Sequence, residues 1–219
     1  MPRMPRLVVP GYPHHVTQRG NRRQRTFFNA EDYQAYLNFI ATARPNAGCV
    51  IWAYCLMPNH VHFVIVPKHE NSLALLFKEA HRCYTRRINF RKKWRGHLWQ
   101  ERFHSFVMDE RHLNATVKYV ELNPVSAGLC KNPQDWQWSS VHAHLSSKDD
   151  ELVSVEPMLE RFPRWVDYLG KSESNQMRHS IRKHTRTGRP LGSESFIEAL
   201  EIQTGRSLIP GKPGRKPIK

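Results

Sequence analysis

The chain has 219 residues, of which 39% are hydrophobic and 11% aromatic, so it can bury a core and a wholly disordered chain is excluded. Lysine and arginine outnumber the acidic residues by 34 to 19, which gives a formal net charge of +15 and a sequence pI near 10.1. No apolar run reaches the ~20 residues of a membrane-spanning helix, and the four cysteines lack the CxxC spacing of a zinc knuckle.

The first part of the chain is predicted to alternate between strands and helices. Residues 14–18 have the alternation of a short strand, and Asn29 is a candidate N-cap for a helix over residues 31–43. Residues 50–56 and 61–66 are apolar runs typical of buried strands, and the turn residues between them predict a hairpin.

The following segments continue this alternation. Ser72 is a candidate N-cap for a helix that ends near residue 89, and residues 98–108 predict a fourth strand. Asp109 can cap a third helix, which must end or kink at the Asn123–Pro124 step. Because β-α-β-β-α-β is the ferredoxin-like order, we predict an α+β fold with an antiparallel, RRM-like sheet and helices on one face, followed by a helical and basic C-terminal extension.

Composition divides the chain into three predicted parts. Residues 1–146 carry the sheet and its helices, and residues 147–174 form a comparatively acidic helical extension. Residues 175–219 form a basic tail rich in glycine and proline, with one short helix over residues 193–203 and predicted disorder from Gly211.

Positive charge is concentrated in residues 1–29, 78–102 and 175–219, which together hold 25 of the 34 basic residues and 5 of the 19 acidic ones. Solvated faces are an ordinary explanation for such clusters. Three clusters separated by aromatic and histidine residues are more typical of a groove that binds nucleic-acid phosphates. An anionic membrane would require an amphipathic basic helix with bulky apolar anchors, which the tail lacks. We therefore predict a nucleic-acid partner and no membrane.

His60 and His62 are the sharpest candidates for chemistry. On a strand, alternate side chains share a face, so both imidazoles point the same way and can bind one divalent metal ion. For an isolated His-x-His pair, two histidines with ordinary hydrogen bonds are the alternative interpretation.

Tyr119 and Asn123 lie four residues apart, on one face of the predicted third helix. By default such a tyrosine packs with a hydrogen-bonded hydroxyl, and such an asparagine caps a helix end. Directed together at the histidine pair, they would instead supply a nucleophile and a third metal ligand. Tyr84 is a rival nucleophile, but its helical spacing favours core packing.

Several blocks of this sequence resemble the REP-associated tyrosine transposases, bacterial relatives of the HUH single-tyrosine, IS200-like transposases. The resemblance extends over about residues 8–145. The matching blocks are residues 16–24, 53–62, 96–100, 119–124 and 138–140, with a further block at residues 187–193. The sequence departs from the family pattern at Glu101, where glycine is common, and at Ser126, where arginine is common.

The resemblance implies a metal-dependent single-strand DNA endonuclease and strand transferase in residues 1–146. His60, His62 and Asn123 would hold Mg²⁺ or Mn²⁺, and Tyr119 would form a 5′-phosphotyrosine link with a palindromic, REP-type hairpin. The resemblance also implies action in the bacterial cytoplasm, at the nucleoid. For the oligomeric state, the sequence is compatible with a monomer and with a homodimer.

The basic clusters would contact phosphates, and fewer groups would contact bases. The candidate DNA-binding residues are His15, Gln18, Arg19, Asn21, Arg22, Arg23, Arg86, Arg87, Lys92, Lys93, Arg95, Trp99, Arg182, Lys183, Arg186 and Arg189. Those near the first strand suit a polar loop around Gly20 equally well, and Trp99 suits a core position equally well.

Two other functions compete with this interpretation. A palindrome-binding regulatory or architectural protein would bind hairpins tightly, with a steep dependence on salt, and form no covalent adduct. A metal hydrolase of small molecules would use His60 and His62 but would need a water-activating carboxylate, for which the sequence offers no candidate.

Overall fold

The computed structural model describes residues 6–172 and 174–209, and its centre is a four-stranded antiparallel sheet. The strands are β1 (His14–Arg19), β2 (Cys49–Met57), β3 (His60–Pro67) and β4 (His104–Val107), in the order β2-β3-β1-β4. The central strands β1 and β3 are each paired on both sides. This order confirms the predicted ferredoxin-like sheet.

Two long helices cover one face of the sheet. The first, α1 (Ala30–Ala47), begins at Asn29, whose side chain caps the first turn as predicted. The second, α2 (Ser72–Lys92), begins after Asn71, so Ser72 is the first helical residue and not the predicted N-cap. Large side chains buried between the helices and the sheet include Tyr36, Ile40, Phe63, Leu73, Leu76, Phe77 and Tyr84.

Helices also pack on the opposite face of the sheet, in addition to the predicted layer on the first face. Here α3 (Glu110–Glu121), capped by Asp109 as predicted, and α8 (Asn175–Thr187) contact the sheet. The strands also carry apolar side chains on this face, and a second layer of helices is needed to bury them. These side chains are Ala53, Cys55, Val64 and Phe106. After α3 ends, the short helix α4 (Asn123–Ser126) starts beside Pro124.

The C-terminal part contains more helix than the sequence predicted. The acidic extension contains α6 (Glu156–Arg161) and α7 (Trp165–Gly170), which follow α5 (Val141–Ser146), and the basic tail contains α9 (Glu194–Thr204) in addition to α8. The tail therefore has two helices and not the single predicted one. The additional helix, α8, is capped at its start by Ser174 and ends at Gly188, which adopts a left-handed conformation. The predicted disorder from Gly211 lies outside the described residues.

The fourth strand is shorter than the predicted range 98–108, since only His104–Val107 pairs with β1. Glu101 adopts a φ of +56°, in the left-handed region, which breaks the extended run before β4. Glycine is favoured in that region, so this backbone suits the glycine that the resemblance leads us to expect at this position. None of the helices within residues 6–172 and 174–209 is long and apolar enough to cross a membrane.

Candidate active site

Strand pairing places the two predicted metal ligands on one face of the sheet. His62 on β3 lies opposite Thr17 on β1, and His60 lies opposite Arg19. The two imidazole ring centroids are 4.9 Å apart. The alternation predicted from the sequence is therefore correct, and both rings lie on the face covered by α3 and α8.

Helix α3 and the start of α4 bring the other two predicted residues to this face. The ring of Tyr119 lies edge-on to His62, with centroids 5.7 Å apart and ring planes at 90°. The side-chain Nδ2 of Asn123 lies 3.2 Å from Nε2 of His62. The phenol, the amide and the two imidazoles, which belong to three elements, thus form one cluster.

This cluster lines a cavity of about 520 Å³. Four predicted DNA-binding arginines line it as well, two after β1 or at its end and two on α8: Arg19, Arg23, Arg182 and Arg186. Among the residues that the structure describes, no acidic side chain lines the cavity. This balance of charge favours an anionic ligand in the cavity.

The protonation state of His60 follows from its hydrogen bonds. Asn59 donates its Nδ2 to the backbone carbonyl of Arg23, so its Oδ1 faces Nδ1 of His60 at 2.6 Å. An amide oxygen only accepts, so Nδ1 of His60 carries the hydrogen and Nε2 keeps its lone pair. Burial, together with the nearby Arg19 guanidinium, lowers the pKa of His60 to about 3. The ring is therefore neutral near pH 7.

The donor set fits a divalent metal ion. Burial first, and then the neighbouring His60, His15 and Arg19, lower the pKa of His62 well below its ordinary value, so both histidines are neutral as ligation requires. Within the described ranges, no group of three His, Cys, Asp or Glu side chains is arranged to hold a metal. The amide of Asn123, which lies beside His62, would be the third protein ligand, as the resemblance implies, with water or phosphate oxygens completing the coordination.

A buried carboxylate holds the end of α3 in place. Glu121 is fully buried, and its Oε1 accepts hydrogen bonds from Ser140 Oγ at 2.6 Å and His144 Nδ1 at 2.7 Å. Its Oε2 accepts one from Trp165 Nε1 at 2.8 Å. These bonds tie the last turn of α3, which carries Tyr119, to α5 and α7.

Three residues predicted to contact DNA are buried in the structure. His15 is 1% exposed and hydrogen-bonded to His62. Gln18 is 2% exposed, and its side-chain amide donates to a backbone carbonyl. Trp99 is 7% exposed and stacks on His81, so it occupies the core position that the sequence left as an alternative. His15 therefore presents almost no surface to DNA, whereas Gln18 and Trp99 still line a groove beside α2.

The remaining predicted DNA-binding residues lie outside the cavity. Arg189 is half-buried and donates a hydrogen bond to the Leu208 carbonyl. Arg86 lines a second groove of about 640 Å³ beside α2, which also has a basic rim. Asn21 is half-buried. The others are exposed, namely Arg22, Arg87, Lys92, Lys93, Arg95 and Lys183.

Four cavity-lining residues were not predicted from the sequence. They are Thr17, Gln100, His104 and Thr185. Strand register explains Thr17, which lies between His62 on β3 and His104 on β4. Alternation from His15 would have pointed to Thr17, whereas nothing in the sequence indicates that α8 folds back to place Thr185 here.

Comparisons with known proteins show the family and the fold of this chain. The REP-associated tyrosine transposase of Escherichia coli (strain K12) is 24% identical over 122 residues, which are 55% of this chain and 72% of that protein. A solved structure of a REP-associated tyrosine transposase bound to a REP hairpin has the same fold, with a TM-score of 0.58 and 21% identity over 70% of this chain and 92% of that one. The family described as "Transposase IS200 like" matches residues 9–123. Because this match spans more than half of the sequence, the chain belongs to the IS200-like transposases, a family of enzymes.

Proposed function

We propose that the protein is a metal-dependent single-strand DNA endonuclease and strand transferase that uses Tyr119 as its nucleophile. The observation that carries this proposal is the cavity that Tyr119 shares with His60, His62 and Asn123. Residues 1–146 would form the catalytic domain, in agreement with the family match over residues 9–123.

Cleavage would proceed by attack of the Tyr119 hydroxyl oxygen on a DNA phosphorus. The new bond joins that oxygen to phosphorus, and the bond from phosphorus to the 3′ oxygen breaks. The phenolic proton is released, and the 3′ oxygen gains a proton, so the products are a 5′-phosphotyrosine and a 3′-hydroxyl. One phosphodiester replaces another, so a 3′-hydroxyl of a second strand can reverse the step without ATP.

The protein's own groups would position the phosphate and balance its charge. His60 and His62 would each offer Nε2 to the metal, with the Asn123 amide beside them. A bound Mg²⁺ or Mn²⁺ would polarise the phosphate and stabilise the charge that develops on it. Arg182 and Arg186 line the same cavity and would bind the non-bridging or flanking phosphate oxygens.

We infer that the DNA is a palindromic hairpin with an unpaired flank. This proposal is supported by the relative whose structure is bound to a REP hairpin. The exposed cations on and after α2 would bind the backbone of the paired stem. Because the relative in E. coli is bacterial, we expect the protein to act in the bacterial cytoplasm, at the nucleoid.

The test is a denaturing gel of the purified protein with end-labelled hairpins taken from palindromes beside its gene. Reactions would contain Mg²⁺, Mn²⁺ or EDTA, and the variants would be Tyr119→Phe and Tyr84→Phe. Tyr84 is a matched control because it is a buried tyrosine on the other face of the sheet, where its hydroxyl donates to the Thr26 carbonyl.

We expect a metal-dependent protein–DNA band from the wild type and from Tyr84→Phe, and no such band from Tyr119→Phe. A band that persists in Tyr119→Phe would contradict the assignment of the nucleophile. Hairpins that shift on a native gel without any adduct, in either metal, would instead support a binding protein without nuclease activity.

A further inference from the structure

We propose that His15 and Thr185 are positioning residues that fix the tautomer of His62, so that His62 presents its Nε2 lone pair to the metal ion. This inference rests on the proposed function in one respect, namely that His62 is a metal ligand. It assigns a role to two residues that the proposed function leaves without one.

A chain of hydrogen bonds links the two residues to His62. Nε2 of His15 lies 2.9 Å from Nδ1 of His62, and both rings are buried. The two ring planes are within 10° of each other, as expected for neighbouring rings that share a hydrogen bond near their common plane. On its other side, Nδ1 of His15 lies 3.4 Å from the hydroxyl oxygen of Thr185.

The direction of each bond follows from the far end of this chain. The Thr185 hydroxyl donates its single hydrogen to the backbone carbonyl of Ile181, at 2.9 Å. Its oxygen therefore faces His15 as an acceptor, and Nδ1 of His15 must carry the hydrogen. A neutral His15 then has a lone pair on Nε2, so Nδ1 of His62 is the donor in the bond between the rings.

The result is that Nε2 of His62 keeps its lone pair, and this atom faces the Nδ2 of Asn123 at 3.2 Å. His60 reaches the same state by a different route, since Asn59 accepts the hydrogen of its Nδ1. Both histidines thus have Nδ1 occupied by a hydrogen bond and Nε2 available. Partners of this kind fix ring orientation and tautomer in metal sites.

The chain of bonds also connects the metal site to the C-terminal helix. Thr185 lies on α8, 170 residues from His15 in sequence, and no other element supplies a described hydrogen-bond partner to Nδ1 of His15. Helix α8 would therefore contribute to metal affinity through Thr185, apart from any phosphate contact made by Arg182 or Arg186.

The experiment measures Mn²⁺ binding to the DNA-free protein by electron paramagnetic resonance, which counts free Mn²⁺. His15→Leu removes the acceptor, whereas His15→Gln keeps an oxygen close to the position of Nε2. His14→Gln is the matched control, because His14 is a fully buried histidine on the same strand, bonded to the Val9 backbone amide and pointing to the other face. Circular dichroism checks that each variant is folded.

We expect His15→Leu to weaken Mn²⁺ binding by about 10-fold to 100-fold, as measured for other outer ligand partners. His15→Gln should recover most of that loss, and His14→Gln should bind Mn²⁺ as the wild type does. Thr185→Val, which removes the acceptor for His15 Nδ1, should weaken binding in the same direction by a smaller factor.

A second readout is the tautomer itself, from the ¹⁵N chemical shifts of His62 in the metal-free protein. The wild type should show a protonated Nδ1 and an unprotonated Nε2, and His15→Leu should shift the population toward protonated Nε2. A folded His15→Leu variant with wild-type Mn²⁺ affinity, or a wild type without Mn²⁺ binding, would overturn the inference. Neither measurement depends on DNA cleavage, so a persistent Tyr119→Phe adduct would refute the nucleophile alone.

Discussion

The substitution Glu121→Gln tests how strongly the end of α3 depends on its buried carboxylate. Glutamine has the same shape, and its oxygen can still accept hydrogen bonds from Ser140 and His144, which both bind Oε1 in the wild type. Its NH₂ group then replaces Oε2 and faces the indole N–H of Trp165, 2.8 Å from the present oxygen. Two donors would oppose each other in a site without solvent.

We expect Glu121→Gln to lower the free energy of unfolding substantially. A hydrogen bond to a charged group contributes about 1.5–3 kcal/mol, and a buried donor left without an acceptor costs about 1–3 kcal/mol. Because the two terms overlap, we expect the free energy of unfolding to fall by about 2–4 kcal/mol. Urea unfolding followed by tryptophan fluorescence and by circular dichroism measures this change.

Glu110→Gln is the control on the same helix. Glu110 is largely exposed and pairs with Arg161 at the surface, so its loss should cost less than about 1 kcal/mol. If Glu121→Gln unfolds within about 0.5 kcal/mol of the wild type, the buried hydrogen bonds do not hold α3, and the reasoning is wrong.

Three further predictions concern stability and metal choice. Asp32 is fully buried and binds two guanidinium nitrogens of Arg91 at 2.5 and 2.6 Å, so Asp32→Asn should lower the urea-measured stability by about 2 kcal/mol. Burial lowers the pKa of His14 to about 4 and that of His81 to about 3. As the pH falls below about 6.5, these two histidines therefore take up protons in the unfolded chain before they do so in the folded protein. The free energy of unfolding should then fall toward pH 4 by about 1.4 kcal/mol per pH unit for each histidine. Urea titrations at pH 7 and at pH 5 would measure this difference in the free energy of unfolding. At equal concentrations, Mn²⁺ should give more covalent adduct than Mg²⁺ because imidazole ligands suit Mg²⁺ poorly, as adduct yields on a denaturing gel would show.

Local periodicity predicts which residues of the candidate site lie side by side. Strand alternation predicted that His60 and His62 share a face, and helical spacing predicted that Tyr119 and Asn123 lie together. Both rules depend only on backbone geometry, so they hold before any tertiary structure is known. The meeting of these two pairs depends on how α3 packs on the sheet, which the sequence suggested through family resemblance alone.

Long-range contacts explain what the sequence did not predict. His15 contacts His62 across 47 residues and Thr185 across 170 residues, and no local pattern contains such pairings. The sequence alone therefore suggests a DNA contact for His15, whereas the structure buries its side chain. The helix α8 is not predicted from the sequence because its segment is basic and strongly polar overall and buries only one residue, Ile181, so its composition is that of a solvated tail.

The central claim is that Tyr119 becomes covalently linked to DNA, and peptide mass spectrometry tests it most directly. The protein would react with a hairpin and Mn²⁺, the DNA would be trimmed with nuclease, and trypsin would then release residues 119–131 and 83–86 as separate peptides. We predict nucleotide mass on the peptide that contains Tyr119 and none on the peptide that contains Tyr84. Nucleotide mass on any other peptide, with the peptide of Tyr119 unmodified, would contradict the account.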